Sequence, residues 1–391
     1  MPLSSNDERY MARALELARQ GVGLASPNPC VGAIVVDAHG DIIGRGIHSY
    51  AGLRHAEVLA LEEAGAAARG ATLYLNLEPC CHLGRTGPCT DAVIAAGVRR
   101  VVAAMADPNP LVAGQGVARL RAAGVEVTTG VGEQEARKLN EAFAKYIRTR
   151  RPLVTLKSAM TLDGKIAMRG GSPPPSQAGA SGDSATWITG EAARAHVQQL
   201  RHASDAILVG VGTVIADNPR LTDRTALARR RPLLRVIMDS RLRIPLESGI
   251  VQTANNDVLV FHTSGESEKR KELEKRGVCL EQVRPDSAGR ADFNEVVARL
   301  GEMELISLLI EGGAAVNGAA LASGIVDKIF FYYAPKVLGV NAVPVVTGTG
   351  WDCISEAVQV NSITLHRFGE DFAAEGYIRD PYEIQQQATG S

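Results

Sequence analysis

Aromatic residues are scarce in this 391-residue chain, 4% of the total, and a surface that stacks bases needs several of them. Charge of one sign is lacking too, since 42 Lys and Arg stand against 43 Asp and Glu, a net of -1. A protein that grips a nucleic-acid backbone carries a basic excess, overall or in one patch. The basic runs here are short, such as Arg99-Arg100 and Arg229-Arg230-Arg231, and each of these reads as a solvated loop or strand edge. No apolar run reaches the length that spans a bilayer, and the start, MPLSSNDERYMARALELARQG, has no apolar core of a secretory signal. These absences argue against nucleic-acid and membrane partners. Six cysteines are too few and too unevenly placed for a disulfide framework, yet three fall within Cys80 to Cys89. That clustering favours a metal or reactive site in a reducing compartment, with the cytoplasm as the expected location.

With 45% hydrophobic and 22% charged residues, the length fits two globular domains. The first part alternates. A helix near Asp7 to Gln20, with Ser5 or Asn6 as its cap, precedes the strand VGAIVVD, a loop to His55 and a helix to Ala68. The strand ATLYLNLEP, a helix from about Thr90, the strand RRVVAAMAD and a helix and strand within GVARLRAAGVEVTTG follow. This pattern predicts α/β layers around a sheet. EQEARKLNEAFAKYIRTRRP reads as one further helix, and the turn before Pro152 is the boundary, giving domains 1–150 and 151–391. Beyond it LVTLKSAMTLDGKIAM, DAILVGVGT, LLRVIMDS, DVLVFHT, LISLLIEGG and KIFFYYAPKVLG read as strands of a second α/β domain. ITGEAARAHVQQLRHA reads as a helix, the Gly/Pro/Ser-rich stretch 170–184 as a surface loop and IQQQATGS as a frayed tail.

His55 and Glu57 stand two residues apart at the head of the Ala/Leu/Glu-rich run RHAEVLALEEA, and EPCCHLGRTGPC (78–89) lies downstream at a strand end. Alone, His-Ala-Glu is an ordinary first helical turn, where the dipole favours Glu. A catalytic zinc takes three protein ligands and leaves one position open. His55, Cys80 and Cys89 supply such a set, with helix starts nearby that favour thiolate. Glu57 is then placed to take a proton from a water at the open position and deliver it to a leaving nitrogen.

The order His-x-Glu then Pro-Cys resembles the zinc nucleobase deaminases, although Cys80 and Cys89 are separated by a longer insert than their two residues. With SPNPCVGAIVV and GIHSYAGLRHAE in front, the pattern closely resembles the deaminase half of the bifunctional riboflavin-biosynthesis deaminase/reductase family. The resemblance implies a cytidine-deaminase-like three-layer α/β/α domain with one zinc on His55, Cys80 and Cys89, and Glu57 as proton shuttle. Cys81, next to Cys80, is the alternative ligand to that set. Asn28 and His48 match positions that line the pyrimidine, while Asn28 also reads simply as a turn residue between two prolines. Cys30, Cys279 and Cys353 read as core or incidental.

The second half resembles the reductase of the same family from about Leu153 to Arg379, through KSAMTLDGKIA, WITGEAARAHVQQLR, VGVGTVIADNPRLTDR and LIEGGAAVNGAAL. This implies a dihydrofolate-reductase-like α/β fold, NADPH, and hydride transfer to C1′ of a ribose opened to an imine. A phosphate at the far end calls for fixed guanidinium groups. By resemblance Arg201, Leu221, Arg224 and Glu311 touch substrate, with Lys157 as a further cation near the ribose. Asp217 orients the ribose or relays a proton, or else caps the turn into Asn218-Pro219. Met160, Trp187, Thr213, Asp217, Ser240 and the run Gly313, Ala314, Ala315, Val316, Asn317, Gly318 and Ala319 fall to NADPH. The run follows an apolar strand, so small residues let a phosphate approach backbone N–H groups. Ser184 is a further substrate position, left open because GDSATWIT has one residue more before Trp187 than the family pattern.

The expected protein is a homo-oligomeric enzyme acting on a pyrimidine ribosylamine phosphate with zinc and NADPH. One rival is a nucleic-acid-editing deaminase with an accessory domain, opposed by the charge balance and by the reductase-like half. Another is a binding module with a structural zinc, opposed by the three-ligand set and by the placement of Glu57.

Overall fold

The computed structural model describes residues 5–50, 54–82, 87–169 and 187–383. It divides into two compact units, the first comprising residues up to Arg150 together with Ala228–Arg231, the second Arg151–Leu227 with Pro232–Glu383. The break follows Arg150, which takes a left-handed φ of 57°, a common way to end a helix. Among the described residues no helix is long and apolar enough to cross a membrane.

In the first unit β1 (Gly32–Val36), β2 (Ile42–Ile47), β3 (Thr72–Leu75), β4 (Arg100–Ala103) and β5 (Glu126–Thr129) form a sheet in the order β2-β1-β3-β4-β5. β1 runs antiparallel to β2 and β3, while β3, β4 and β5 are parallel. The helices are α1 (Ser5–Arg19), α2 (Ala56–Ala64), α3 (Cys89–Ala95), α4 (Gln115–Ala122), α5 (Glu133–Leu139) and α6 (Glu141–Thr149).

Glycine explains the layering. A Cβ on Gly32 would lie 2.3 Å from the Ala14 carbonyl oxygen of α1, whereas a Cβ on Gly44 or Gly46 would lie 2.1 or 1.9 Å from carbonyl oxygens of Ala60 or Ala56 in α2. Gly32 pairs with Ile47 and Gly46 with Ala33, so the strand's two-residue period puts these close approaches on opposite faces. α1 and α2 therefore cover opposite faces, the three-layer α/β/α arrangement. The loop expected before His55 contains the strand β2, IIGRGI; its glycines dilute the apolar alternation and at the same time let α2 sit against the backbone. The single helix expected over EQEARKLNEAFAKYIRTRRP is two. Asn140 interrupts it because its buried side chain accepts from Cys30 N at 2.8 Å and donates to Cys30 O at 3.1 Å.

The second unit contains β6 (Leu153–Thr161), β7 (Lys165–Met168), α7 (Glu191–Ala203), β8 (Ala206–Gly210), α8 (Val211–Asp217), β9 (Leu234–Met238), α9 (Gly249–Gln252), β10 (Val258–His262), α10 (Ser267–Lys275), β11 (Val278–Gln282), α11 (Phe293–Glu302), β12 (Ser307–Ile310), α12 (Ala314–Ala322), β13 (Lys328–Ala334), β14 (Ala342–Pro344), β15 (Asn361–Phe368) and β16 (Asp371–Tyr377). Nine strands pair in the order β11-β10-β9-β8-β12-β6-β13-β16-β15, parallel up to β13 and antiparallel beyond it. Both faces of the parallel part are covered. Ala206, Leu208, Val236, Leu259 and Phe261 pack with α11 residues Val296, Val297 and Leu300, and the alternate residues Ile207, Val209, Ile237, Val258 and Val260 pack with Ile250 and Leu273. Each buried Val, Leu or Ile contributes about 1.5–3 kcal/mol.

DAILVGVGT is not strand throughout, since β8 stops at Gly210 and α8 begins at once. The hairpin β15–β16 was not foreseen. β15 is an edge strand, largely exposed along its length, and so carries no inside-outside alternation to read.

Candidate active sites

His55 caps α2 and Cys89 opens α3, while Cys80 lies on the loop that leaves β3. The His55 Nδ1 lies 3.0 Å from Cys89 Sγ and 3.6 Å from Cys80 Sγ. All three donor atoms lie within 4.8 Å of one another. The backbone N–H groups of Cys89 and Thr90 both turn onto Cys80, at 3.4 Å to its sulfur and 3.1 Å to its carbonyl, so the start of α3 faces the cluster. The Cys89 thiol donates to Cys80 and, with His55, favours the Cys80 thiolate, pulling its pKa down to about 4; the same shared proton pushes Cys89 up. Two sulfurs held together by one proton beside an imidazole are a donor set that fits zinc, which would take the place of that proton.

Glu57 sits in the first turn of α2 at 4% exposure. Burial raises its carboxyl above the ordinary range, against the opposing pull of His55 and a hydrogen bond from Cys89. The two-residue spacing places His55 at the cap and Glu57 one turn edge further on, both directed to the same end of α2. Next to them, His48 Nδ1 lies 2.8 Å from the Arg54 carbonyl. A carbonyl only accepts, so Nδ1 carries the proton, and Nε2 accepts from Asn28 Nδ2 at 3.0 Å. Burial lowers the His48 pKa and keeps the ring neutral. The His48 and His55 rings meet edge to face at 5.3 Å. The structure thus places His48 against His55 and Asn28 against His48. Cys81 is outside the three-donor group, its sulfur 4.0 Å from Gln115 Oε1.

In the second unit Lys157, Arg201 and Glu311 meet at the C-terminal end of β12, the usual place for a ligand in such a sheet. Glu311 follows β12. Its carboxylate receives Arg201 Nε at 2.7 Å and Nη2 at 3.0 Å, and Lys157 Nζ of the neighbouring β6 at 3.4 Å. Burial alone would raise the Glu311 carboxyl, but Lys157 and Arg201 overcome it and hold the pKa at about 2. Lys157 also lies 5.8 Å from the ring centre of buried Tyr332.

Gly312, Gly313 and α12 come next. Cβ atoms on Gly210 and Gly312 would lie 2.6 and 2.4 Å from Val316 side-chain carbons, and one on Gly318 would lie 2.1 Å from the Thr347 carbonyl oxygen. Small residues here let the start of α12 settle between the ends of β8 and β12. A Cβ on Gly313 would sit 3.6 Å from Thr213 Oγ1, so two residues assigned to the cofactor are neighbours. Asn317 is fully buried and Ala314 nearly so, while Ala315 is exposed and Val316 and Ala319 are half-buried. Met160 is buried near the end of β6, and Trp187 is half-exposed beneath Arg194. Ser240 follows β9 and its hydroxyl accepts from Ala291 N at 2.9 Å. Leu221 is buried with a left-handed φ of 54°, and Arg224 is exposed. Asp217 ends α8 exposed, and among the described residues its carboxylate makes no capping bond to Asn218-Pro219. Ser184 lies outside the described residues.

Residues 152–373 match the family described as RibD C-terminal domain, and residues 4–105 match the cytidine and deoxycytidylate deaminase zinc-binding region. The riboflavin biosynthesis protein RibD of Actinobacillus pleuropneumoniae is 42% identical over 388 residues, covering 97% of this chain and 99% of that protein. The chain belongs to the RibD family. The RibD of Aquifex aeolicus is 42% identical over 365 residues, covering 93% and 96% of the two chains. Among solved structures, Acinetobacter baumannii RibD superposes with a TM-score of 0.79 at 37% identity, covering 95% of this chain and 98% of that one. The diaminohydroxyphosphoribosylaminopyrimidine deaminase/5-amino-6-(5-phosphoribosylamino)uracil reductase of Thermotoga maritima superposes at 0.78 and 36%, with the same coverage. An editing deaminase with an unrelated accessory domain does not fit RibD relatives that match along both halves.

The RibD deaminase unit also holds residues that the sequence did not single out. Glu78, two residues before Cys80, is buried at 2% exposure and accepts from the backbone N–H groups of Asp107, Gly114 and Val117 at 3.1, 2.9 and 2.9 Å. It ties the ligand loop to the start of α4. Asn76, fully buried, accepts from Gly32 N and donates to Cys30 O, both at 2.9 Å. Asp107 is raised to about 7, chiefly by burial and then by the nearby Glu78, Cys80 and Glu57 charges. An Asp between a strand end and two prolines in MADPNP was the available signal.

Proposed function

We propose that this chain performs two successive steps of riboflavin biosynthesis. The first unit deaminates 2,5-diamino-6-ribosylamino-4(3H)-pyrimidinone 5′-phosphate by hydrolysis, and the second reduces the ribosyl group of the product to ribityl with NADPH. The observation that carries the reading is the cluster of His55, Cys80 and Cys89 with Glu57 buried beside it, in a chain that RibD relatives match along nearly its whole length.

His55, Cys80 and Cys89 would hold zinc, a Lewis acid that would make water nucleophilic at neutral pH. Glu57 accepts a proton from the attacking water as the water oxygen bonds the ring carbon, then gives the proton to the amino group as the C–N bond breaks and ammonia leaves. A carboxyl raised by burial suits both duties better than a free one. Asn28 and the neutral His48 hold the pyrimidine. In the second unit NADPH supplies the hydride that reduces C1′ of the opened ribose. Met160, Trp187, Thr213, Asp217, Ser240 and Gly313–Ala319 would hold the cofactor. Lys157, Leu221 and Glu311 face the substrate. Arg201, bonded to Glu311 and to the Thr222 carbonyl, and exposed Arg224 are the guanidinium groups offered to the substrate, Arg224 for its 5′-phosphate.

This reading separates the two chemistries at about residues 150 and 151. Chelation of the metal is expected to stop ammonia release and to leave intact the reduction of substrate already deaminated; loss of both in a protein that stays folded overturns the division. The further proposal that the chain works in the cytoplasm as a homo-oligomer draws support from the thiols Cys80 and Cys89 gathered at one site and from Ile363 and Leu365, 60% and 70% exposed on edge strand β15. A monomer in sedimentation removes the second part.

A further inference from the structure

Helix α7 grips the loop after Leu221 with three side chains. Gln198 Oε1 accepts from Arg224 N at 3.0 Å, Arg201 Nη1 donates to the Thr222 carbonyl at 3.1 Å, and His202 Nδ1 lies 2.9 Å from Asp223 Oδ2. Residues 198, 201 and 202 share one face of the helix by the three- and four-residue spacing. The His202–Asp223 pair is the buried member, with side chains 7% and 9% exposed. Asp223 Oδ1 in turn accepts from Thr225 N and Thr225 Oγ1 at 2.9 and 2.8 Å, so one carboxylate binds both the helix and the far side of Arg224.

The loop needs this hold. Asn218, Leu221 and Ala226 take left-handed φ angles of 43°, 54° and 59°, which non-glycine residues keep only where their surroundings over-determine them. Arg224 lies between Leu221 and Ala226, its backbone N–H fixed by Gln198 and its side chain exposed. Arg201 joins the loop through Thr222 to Glu311, so α7 connects the buried charge cluster to the loop.

We infer that His202 and Asp223 are positioning residues that set Arg224 for the substrate's 5′-phosphate, and so determine the preference of the reductase for phosphorylated over dephosphorylated substrate. This rests on the reading of Arg224 as the phosphate cation. A cation on a loop free to leave its place loses part of its binding free energy to ordering. Neither side chain is required to touch the substrate.

The test is steady-state reduction by the full-length enzyme of the deaminated ribosylamino-uracil, with its 5′-phosphate and after phosphatase treatment. Asp223→Ala and His202→Leu are expected to raise KM for the phosphorylated substrate about tenfold, the size of one hydrogen bond to a charged group, with kcat and NADPH binding nearly unchanged. On the dephosphorylated substrate they should match wild type, and His202→Asn, which keeps a donor near the place of Nδ1, should recover most of the loss. Asp223→Asn provides the same comparison where the alanine variant does not fold. Arg224→Ala separates the two levels. If it keeps the phosphate preference, the reading of Arg224 falls and takes the inference with it. If it loses the preference while the His202 and Asp223 variants retain it, or lose both substrates equally, the positioning role alone is overturned.

Discussion

A Glu57→Gln enzyme is expected to keep its zinc and to release ammonia about 10²- to 10⁴-fold more slowly, the usual contribution of a positioned general acid and base. Gln preserves the shape of a side chain that is 4% exposed in the first turn of α2, so packing should survive. What disappears is the group that carries a proton from water to the leaving nitrogen. His55 remains the helix cap and its ring keeps its place between the two sulfurs. The variant should also reduce deaminated substrate at the wild-type rate, because Lys157, Glu311 and Arg224 are untouched. Ammonia release close to wild type from a zinc-replete Glu57→Gln protein would remove the role assigned to this carboxylate.

Cys80→Ser and Cys89→Ser should each weaken zinc binding by more than about 100-fold, beyond the 10- to 100-fold typical of losing an outer-shell partner. A neutral hydroxyl is a poor substitute for thiolate. At Cys80 the change also removes the acceptor for Cys89 N–H at 3.4 Å, and at Cys89 it removes the sulfur nearest His55, 3.0 Å away. Cys81→Ser should retain about one zinc per chain, since the Cys81 sulfur stands outside the group. Metal analysis after dialysis against a weak chelator checks all three. Equal loss in all three variants, or loss in Cys81→Ser alone, would mean a different ligand set.

The metal site was legible because its parts lie in two short motifs, one at a helix start and one between a strand end and a helix start. Two-residue spacing put His55 at the cap and Glu57 in the first turn, and the helix starts expected beside His55 and Cys89 are there. In the second unit the residues could be named, but their mutual pairing could not. Glu311 lies 154 residues from Lys157 and 110 from Arg201, and they meet because β12 pairs with β6 and carries Glu311 past its end. Sequence order contains no sign of that adjacency. Glu78 and Asn76 were passed over because their work is to accept from or donate to the backbone of distant loops. β2 was hidden by Gly44 and Gly46, whose value is the close approach of α2, and β15 by its exposure. The break at Asn140 was missed for a related reason, as the residue reads as a tolerable helix member until Cys30 comes within reach of its side chain.

The central claim is that one chain deaminates first and reduces second, at separate sites. Its most direct test follows ammonia and NADPH together during incubation of the purified protein with the diamino substrate. Without NADPH, one equivalent of ammonia should appear per substrate and the ribosylamino-uracil phosphate should accumulate. When NADPH is then added, one equivalent should be oxidised, the ribityl product should form and no more ammonia should appear. Oxidation of NADPH by the diamino substrate ahead of ammonia release, or ammonia release that requires NADPH, would contradict the account.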